Sequence, residues 1–192
     1  KRRRFDNLEG TKGDKTFDQL EQFQNIGAFI QQEWIINKSF RTTFGIRSDK
    51  NKLKATDRYL NDGDGTGKRT LNNVNPLIGF IYSIRKNINL YGNYSTHFET
   101  PTLNELSNNP DPSSSGGFNP GLNPQYAKNV ELGLKGFFNE NLFIEIAAFN
   151  IDALDEIIPF ELPDIPGRTF YRNAGTSFRK GFEFGLNSRL SK

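Results

Sequence analysis

Seven segments of the chain alternate apolar and polar residues, and they occur in pairs joined by short connections. Successive side chains of a β-strand point to opposite faces, so each segment predicts a strand with one apolar and one polar face. The connections between pairs are long, polar and rich in Gly, Pro, Asn and Asp. Short turns at one end and long loops at the other are typical of an up-and-down β-barrel in an outer membrane.

The segment Phe40–Ser48 shows the pattern most clearly. Phe40, Thr42, Phe44 and Ile46 share one face, and Arg and Gly residues lie on the other. The predicted strands are Phe23–Trp34, Phe40–Ser48, Val74–Ile84, Ile88–Thr96, Asn129–Phe138, Leu142–Asp152 and Phe170–Leu190. The predicted long loops are residues 1–22, 49–73, 97–127 and 159–168. The third of these contains several prolines and the tract Ser113–Gly117.

The composition agrees with a barrel whose strands face water on one side. Apolar residues make up 34% of the chain, aromatic residues 13%, and the mean hydropathy is −0.66. No run of about 18 apolar residues predicts a membrane helix, whereas a barrel strand needs only about 9–11 alternating residues. A soluble β-sandwich has the same periodicity with its apolar face inside. The alternating connection lengths and the aromatic content favour the barrel.

Several functional classes find no support in the sequence. The absence of cysteine excludes disulfides, thiol nucleophiles and thiolate metal sites. The net charge is only +3, so the basic run Lys1–Arg4 predicts a solvated loop and no nucleic-acid partner. No Ser-His-Asp set or paired carboxylates emerge, so an enzyme is not expected. A start at Lys1 without a signal peptide suggests an internal segment of a longer protein.

Two features raise the question of metal binding. The run Asp62-Gly-Asp64-Gly-Thr66-Gly67 partly matches a calcium loop, but Asn73 stands where the pattern requires Glu. A solvated loop is the favoured interpretation. His97 is the only histidine and has no well-spaced acidic partners, so it predicts a residue at the barrel rim, with contact to an incoming ligand as the alternative. No metal site and no cofactor are predicted.

A series of motifs runs in a fixed order along the chain. They are Tyr91-Gly-Asn-Tyr-Ser95, Phe98, Pro101-Thr102, Glu105-Leu106, Asn119-Pro-Gly-Leu122-Asn-Pro124 and Glu131-Leu-Gly-Leu-Lys135. This order resembles TonB-dependent outer-membrane receptors. His97 replaces the usual Gly before Phe98, and Gln125 stands where Glu is common. Further resemblances are Ile26–Trp34, Phe44–Asp49, Pro76–Gly79, Ala148–Asn150, Ile157–Glu161, Tyr171–Gly175 and Gly181–Glu183.

The resemblance implies a 22-stranded barrel filled by an N-terminal plug. It also implies a place in the bacterial outer membrane, contact with its lipid, and uptake of an iron–siderophore or similar chelate driven by the TonB energy-transducing complex. Residues 1–192 would then form part of the C-terminal barrel domain, about seven of its strands. The plug and the final strands would be missing, so this segment alone would transport nothing.

In such a receptor the ligand would meet the long loops. The residues expected to contact it are Arg3, Arg4, His97, Phe98 and Tyr126, since cations and rings suit an anionic chelate. The alternatives are a passive porin or adhesin barrel without a plug, and a soluble β-sandwich binding module. The sequence does not identify the cargo, and vitamin B12, nickel or a glycan remain open beside iron chelates.

Overall fold

The computed structural model describes residues 1–111 and 117–189, and antiparallel strands dominate them. Its strands are β1 (Arg2–Leu8), β2 (Thr11–Ile35), β3 (Phe40–Asp57), β4 (Gly67–Arg85), β5 (Ile88–Glu99), β6 (Gln125–Asn139), β7 (Leu142–Leu154), β8 (Ile157–Leu162), β9 (Ile165–Asn173) and β10 (Thr176–Ser188). Helix α1 spans Leu103–Ser107. None of the helical structure in the described ranges is long and apolar enough to cross a membrane.

The strands form one curved wall and one small hairpin. An eight-stranded sheet runs β1-β2-β3-β4-β5-β6-β7-β10, and β8 pairs only with β9. Every pairing is antiparallel, and neighbours in the wall follow the chain in order up to β7. This confirms the predicted all-β, up-and-down architecture. The wall is not closed in this chain, since β1 and β10 each have one free edge.

The three predicted short turns are confirmed, and all lie at one end of the wall. They occupy residues 36–39, 86–87 and 140–141. In the first turn the Asn37 side-chain oxygen accepts hydrogen bonds from the amides of Ser39 and Phe40, at 2.8 and 3.0 Å. In the third turn Asn139 accepts one from the Asn141 amide at 2.9 Å. An Asn side chain that bonds backbone two residues ahead fixes a tight turn locally.

The two faces of the wall differ as the alternation predicts. Near the short turns one face is apolar, and cross-strand register aligns its members: Ile30 lies opposite Ile46 and Phe44 opposite Ile78. All four side chains are exposed, so this face has no protein covering it. The opposite face holds the charged residues Arg47, Glu131, Lys135, Glu145 and Glu183. We call these the outer and the inner face.

The prediction that residues 1–22 and 49–73 are loops is wrong. The first range is β1 and the first half of β2, and the second is mostly the ends of β3 and β4. The register is continuous from Ile35↔Arg41 to Gln19↔Asp57, so the backbone ladder extends far beyond the alternating segments. Beyond the apolar segments the outer face carries polar side chains, and the inner face mixes polar side chains with buried apolar ones such as Leu53. The alternation that marks a lipid-facing strand is therefore lost, although the pairing continues. Only residues 58–66 remain a loop.

The two later loops are also more ordered than predicted. Within 97–127, β5 continues to Glu99, α1 follows, and β6 begins at Gln125. The range 159–168 belongs to the β8–β9 hairpin, and the predicted strand Phe170–Leu190 is two strands separated at Ala174-Gly175. Gly175 has φ +93°, a conformation that glycine adopts without strain. Leu190 and most of the serine tract lie outside the described residues.

The buried core lies at the end of the wall opposite the short turns. Leu53 and Leu71 project from the inner face, and Leu106 and Leu122 from the β5–β6 connection contact them. Three of the four are at most 1% exposed. Partly buried residues around them are Phe98, Leu103, Phe118, Ile157 and Tyr171. The β5–β6 connection and the β8–β9 hairpin therefore fold over the inner face, and we call this assembly the loop cluster.

Candidate functional site

Helix α1 places one half of the loop cluster. Pro101 precedes the helix and Thr102 is its N-cap, whose hydroxyl accepts from the Glu105 amide at 3.3 Å. The Glu105 carboxylate in turn accepts from the Thr102 amide at 2.7 Å, which completes a capping box. The next residue, Leu106, is fully buried. The Pro-Thr-x-x-Glu-Leu motif therefore starts a helix and anchors it.

Arg69 holds the second half of the connection against β4. Its guanidinium donates to the carbonyl oxygen of Asn119 at 3.2 Å, to that of Leu122, and to the side-chain oxygen of Asn123 at 3.1 Å. All three acceptors are uncharged. Burial lowers the pKa of Arg69, although a guanidinium stays protonated in proteins. A single partly buried cation thus fixes the Asn-Pro-Gly-Leu turn on the wall.

The β8–β9 hairpin is tied to the same turn by asparagine side chains. Asn173 accepts from the Asn123 amide at 2.7 Å and donates to the carbonyl oxygens of Asn123 and Asp155, at 2.9 and 2.6 Å. Asn119, which is buried, donates to the Tyr171 carbonyl at 3.2 Å. These bonds join three segments distant in sequence, so the loop cluster is one hydrogen-bonded unit.

Two open concavities lie beside the loop cluster. The first, of about 450 Å³, is lined by Asn25, Arg47, Asp49, Asn51, Asn75, His97, Phe98, Glu99 and Thr100. The second, of about 430 Å³, is lined by His97, Phe98, Glu99, Gln125, Tyr126, Ala127, Ala153, Glu156 and Arg179. The end of β5 separates them and contributes to both. We call them the first and the second concavity.

The structure brings together three of the five predicted ligand residues. His97 and Phe98 line both concavities, and Tyr126 lines the second. The Phe98 and Tyr126 rings lie 5.6 Å apart in a tilted arrangement. Among the described residues, the only side-chain hydrogen-bond partner of His97 is the Ser95 hydroxyl, 3.4 Å from Nε2, so the exposed imidazole keeps most of its hydrogen-bonding capacity there. Rings and a histidine at one rim can contact a ligand from two sides.

Arg3 and Arg4 lie elsewhere, on the edge strand β1. Arg3 forms an ion pair with Asp18 at 3.5 Å, and the Arg4 guanidinium lies 5.6 Å from the Phe17 ring centre. Burial acts to raise the pKa of Asp18, but the Lys15 hydrogen bond and the charges of Lys1 and Arg3 together lower it. Neither arginine lines a concavity with His97, and their contact with a ligand stays a prediction.

An inward ion pair dominates the first concavity and was missed from the sequence. Arg47 donates to both carboxylate oxygens of Asp49, at 2.7 Å each, and Asn25 donates to Asp49 at 3.2 Å. A Cβ at Gly27 would clash with the Asp49 carboxylate and the Arg47 guanidinium as they are placed, so the glycine leaves room for this ion pair. The run Gly-Ile-Arg-Ser-Asp contained the signal, because residues two apart share a face and charges on an inner face point to a wet interior.

Arg179 and Glu156 were likewise not predicted. Their side chains are 3.1 Å apart at the edge of the second concavity. Arg179 is 63% exposed and therefore remains accessible to a ligand. No short sequence motif marks this pair, since Glu156 precedes β8 and Arg179 lies on β10. The connection between them is the hairpin that the sequence did not predict.

The acidic run near Asp62 lines a third concavity, of about 640 Å³, with Asp57, Asp111 and Arg168. Its carboxylates bond the local backbone: Asp57 accepts from Gly65 at 3.0 Å and Asp64 from Thr66 at 2.9 Å. These Thr66 bonds lower the pKa of Asp64. In the described ranges no group of three or more His, Asp or Glu side chains is arranged to hold a metal ion.

Comparison with known proteins identifies this architecture. The family model for the TonB dependent receptor-like β-barrel matches residues 2–191. An iron-regulated outer membrane virulence protein of Vibrio cholerae is 28% identical over 158 residues, which cover 78% of this chain and 22% of that protein. The chain therefore spans about a fifth of the length of the curated relatives that it matches.

Solved structures share the fold. The copper transporter OprC is similar with a TM-score of 0.76 and 18% identity, over 98% of this chain and 30% of that one. The ferric-catecholate import receptor Fiu from E. coli K12 gives a TM-score of 0.68 and 19% identity, over 93% and 28%. The family comprises transport receptors, not enzymes. This chain belongs to the TonB-dependent receptor β-barrel family, and its place is the bacterial outer membrane.

Proposed function

We propose that this chain forms part of the wall of a receptor that takes up an iron chelate, a siderophore complex or a similar molecule, across the outer membrane. The observation that carries the proposal is the pair of concavities beside the loop cluster, where His97, Phe98 and Tyr126 meet at the rim. In this family short turns are periplasmic and long connections extracellular. A ligand arriving from outside would therefore reach this rim first.

The names of relatives support the metal-chelate class without fixing the cargo. The Vibrio cholerae relative is described as iron-regulated, and one structural neighbour imports ferric catecholates. Another neighbour is a copper transporter, so the same wall serves different metals. The proposal also includes a plug domain elsewhere in the protein and the TonB complex as the energy source.

The chemistry of the rim suits a ligand with both polar and ring-like parts. Phe98 and Tyr126 offer ring faces and edges, and His97 offers a nitrogen that can donate or accept. Arg47 is neutralised by Asp49, whereas Arg179 is exposed and shares its charge with Glu156. Hydrogen bonding and ring contact, more than net charge, would select the cargo. Arg3, held by Asp18, would add attraction only at the edge.

Uptake by the full-length protein tests the function. Cells that lack their other iron receptors are starved of iron and given one ferric chelate labelled with radioactive iron. We expect uptake that saturates and disappears when TonB is deleted. Uptake that is linear with concentration and independent of TonB would instead establish the passive porin, and surface binding without uptake would favour an adhesin.

A double variant, compared with a single control variant, tests whether the ligand binds to this part of the barrel. Removing the His97 and Tyr126 side chains together should raise the dissociation constant about tenfold, as expected when roughly 1.4 kcal/mol of contact energy is lost. The matched control is Lys128→Gln, which changes an exposed residue two positions from Tyr126 that lines neither concavity. Equal affinity for the double variant and the control would move the ligand site away from the concavities.

A further inference from the structure

Four lysines form a patch on the outer face, just beyond the apolar band. Lys50, Lys52 and Lys54 have the same parity as Ile46 on β3, so they project outward like Ile46. Lys68 on β4 lies directly opposite Lys54. All four are exposed. We call them the lysine patch.

The charge of the lysine patch has no compensation within the described residues. None of the ion pairs there includes any of the four lysines. Their other cross-strand neighbours are uncharged: Gln22, Gln24, Ile26, Thr70 and Asn72. Lys54 and Lys68 face each other, and like charges directly opposite on a sheet destabilise it. An anion between them would relieve this repulsion.

Another outward lysine shows the contrast. Lys128 on β6 lies directly opposite Asp152 on β7, and both side chains are exposed. An opposite charge therefore faces it within the sheet itself. The lysine patch differs from Lys128 not in exposure but in the absence of such a partner.

The lysine patch is continuous with the lipid-facing surface. Immediately toward the short turns lies an open apolar groove of about 440 Å³, which includes Ile30, Phe44, Ile46 and Ile78. A strand rises about 3.3 Å per residue and tilts about 40° in such barrels. Lys54 therefore lies roughly 10 Å farther along the barrel axis from the apolar groove than Lys50 does. An occupant of both surfaces must be apolar below and anionic above.

We propose that this surface binds a lipid of the outer leaflet whose headgroup carries phosphates. Its acyl chains lie in the apolar groove, and its phosphates are held by the lysine patch, with one phosphate between Lys54 and Lys68. Lysine binds phosphate as a compact charge on a flexible stem. The inference uses the membrane location alone and is independent of the cargo proposed above.

The test uses the full-length protein in nanodiscs of phosphatidylcholine with added lipid A, either carrying its phosphates or dephosphorylated, and native mass spectrometry to count bound lipid. We expect the wild type to retain phosphorylated lipid A at least tenfold better than the dephosphorylated form. Each lysine near a membrane surface contributes about 1 kcal/mol, so Lys54→Gln with Lys68→Gln should lower this retention roughly 30-fold. Lys128→Gln should leave it unchanged.

Three results would overturn the proposal. One is equal retention of the two lipid A forms by the wild type, which needs no variant and therefore does not depend on variant folding. The second is unchanged retention by the folded double variant. The third is full displacement of lipid A by equimolar inorganic phosphate, because the site would then recognise a free anion and not a membrane lipid.

Discussion

The two halves of the wall have the same backbone ladder but different surroundings. In the membrane half, from Ile26 to Ile35 and from Phe40 to Asp49, the outer face meets lipid, and apolar residues recur at every second position. In the upper half, residues 19–25 pair with 51–57 and residues 11–19 pair with β1, and the outer face of β3 carries polar residues there. The difference teaches that the alternation reports the solvent of a strand, and not whether a strand is present.

The two halves also differ in what supports their inner faces. The upper half has a buried apolar cluster, formed where Leu106 and Leu122 contact Leu53 and Leu71. Within the described residues the membrane half has no such cluster, and its inner face instead carries ion pairs such as Arg47–Asp49. The first two predictions below test these separate sources of stability.

The largest effect is expected in the upper half, from Leu106→Ala. The side chain is fully buried, so its truncation removes apolar contact and leaves a cavity, at a cost of about 2–5 kcal/mol. Amide hydrogen exchange should speed up throughout the loop cluster while the membrane half of β3 keeps its protection. Equal loss of protection in both halves would show that they unfold as one unit.

A charge placed on the outer face of the membrane half should be next in size. Phe44 lies in the lipid-facing groove, and Phe44→Lys should cost about 2–4 kcal/mol near the middle of the bilayer. Ser48→Lys, two pleats toward the lysine patch, should cost only about 0–1 kcal/mol. Urea unfolding in lipid vesicles measures both. Similar costs at the two positions would contradict the assignment of the outer face to lipid.

Thr102→Ala should have a smaller and more local effect. It removes the N-cap of α1 and should lower local stability by about 1 kcal/mol. The expected sign is faster exchange of the Glu105 and Leu106 amides, with Thr102→Ser restoring wild-type rates. Unchanged exchange in Thr102→Ala would mean that the buried leucine alone fixes the helix.

The smallest effect should be a pH dependence at the edge strand. The pKa of Asp18 is lowered in the fold, so its ion pairs stabilise β1 at pH values above the ordinary aspartate pKa of about 4. That contribution is lost as pH falls through the lowered value. The protection factors of the β1 amides, which correct for the intrinsic pH dependence of exchange, should therefore fall in acid. Asp18→Asn should have lower protection factors at neutral pH, and these should depend less on pH.

The contrast between the membrane half and the upper half also explains which strands the sequence predicts. All three short turns and the strands beside them were predicted, because lipid enforces alternation around Phe44 and Ile46. The upper half of β2 and the hairpin at Ile157–Leu162 were not, since their sequences do not alternate between apolar and polar residues. Their strands form because neighbouring strands offer a register, which is information that no local window of sequence contains.

The motifs predicted the family for reasons that the structure explains. Thr102 and Glu105 cap a helix, Asn119 ties the turn to β9, and Gly27 leaves room for the Arg47–Asp49 pair. These residues build the rim and do not themselves identify a cargo. His97, where the motif usually has glycine, is the departure that adds a polar side chain at the rim.

Hydrogen exchange of the full-length protein in nanodiscs tests most directly whether the ladder continues beyond the lipid. The account predicts that amides of Thr11–Asn25 and Lys50–Asp57 are protected to a degree comparable with Ile26–Ile35, while residues 58–66 exchange rapidly. Exchange in the upper half as fast as in 58–66 would contradict it and restore the long loops that the sequence pattern predicts.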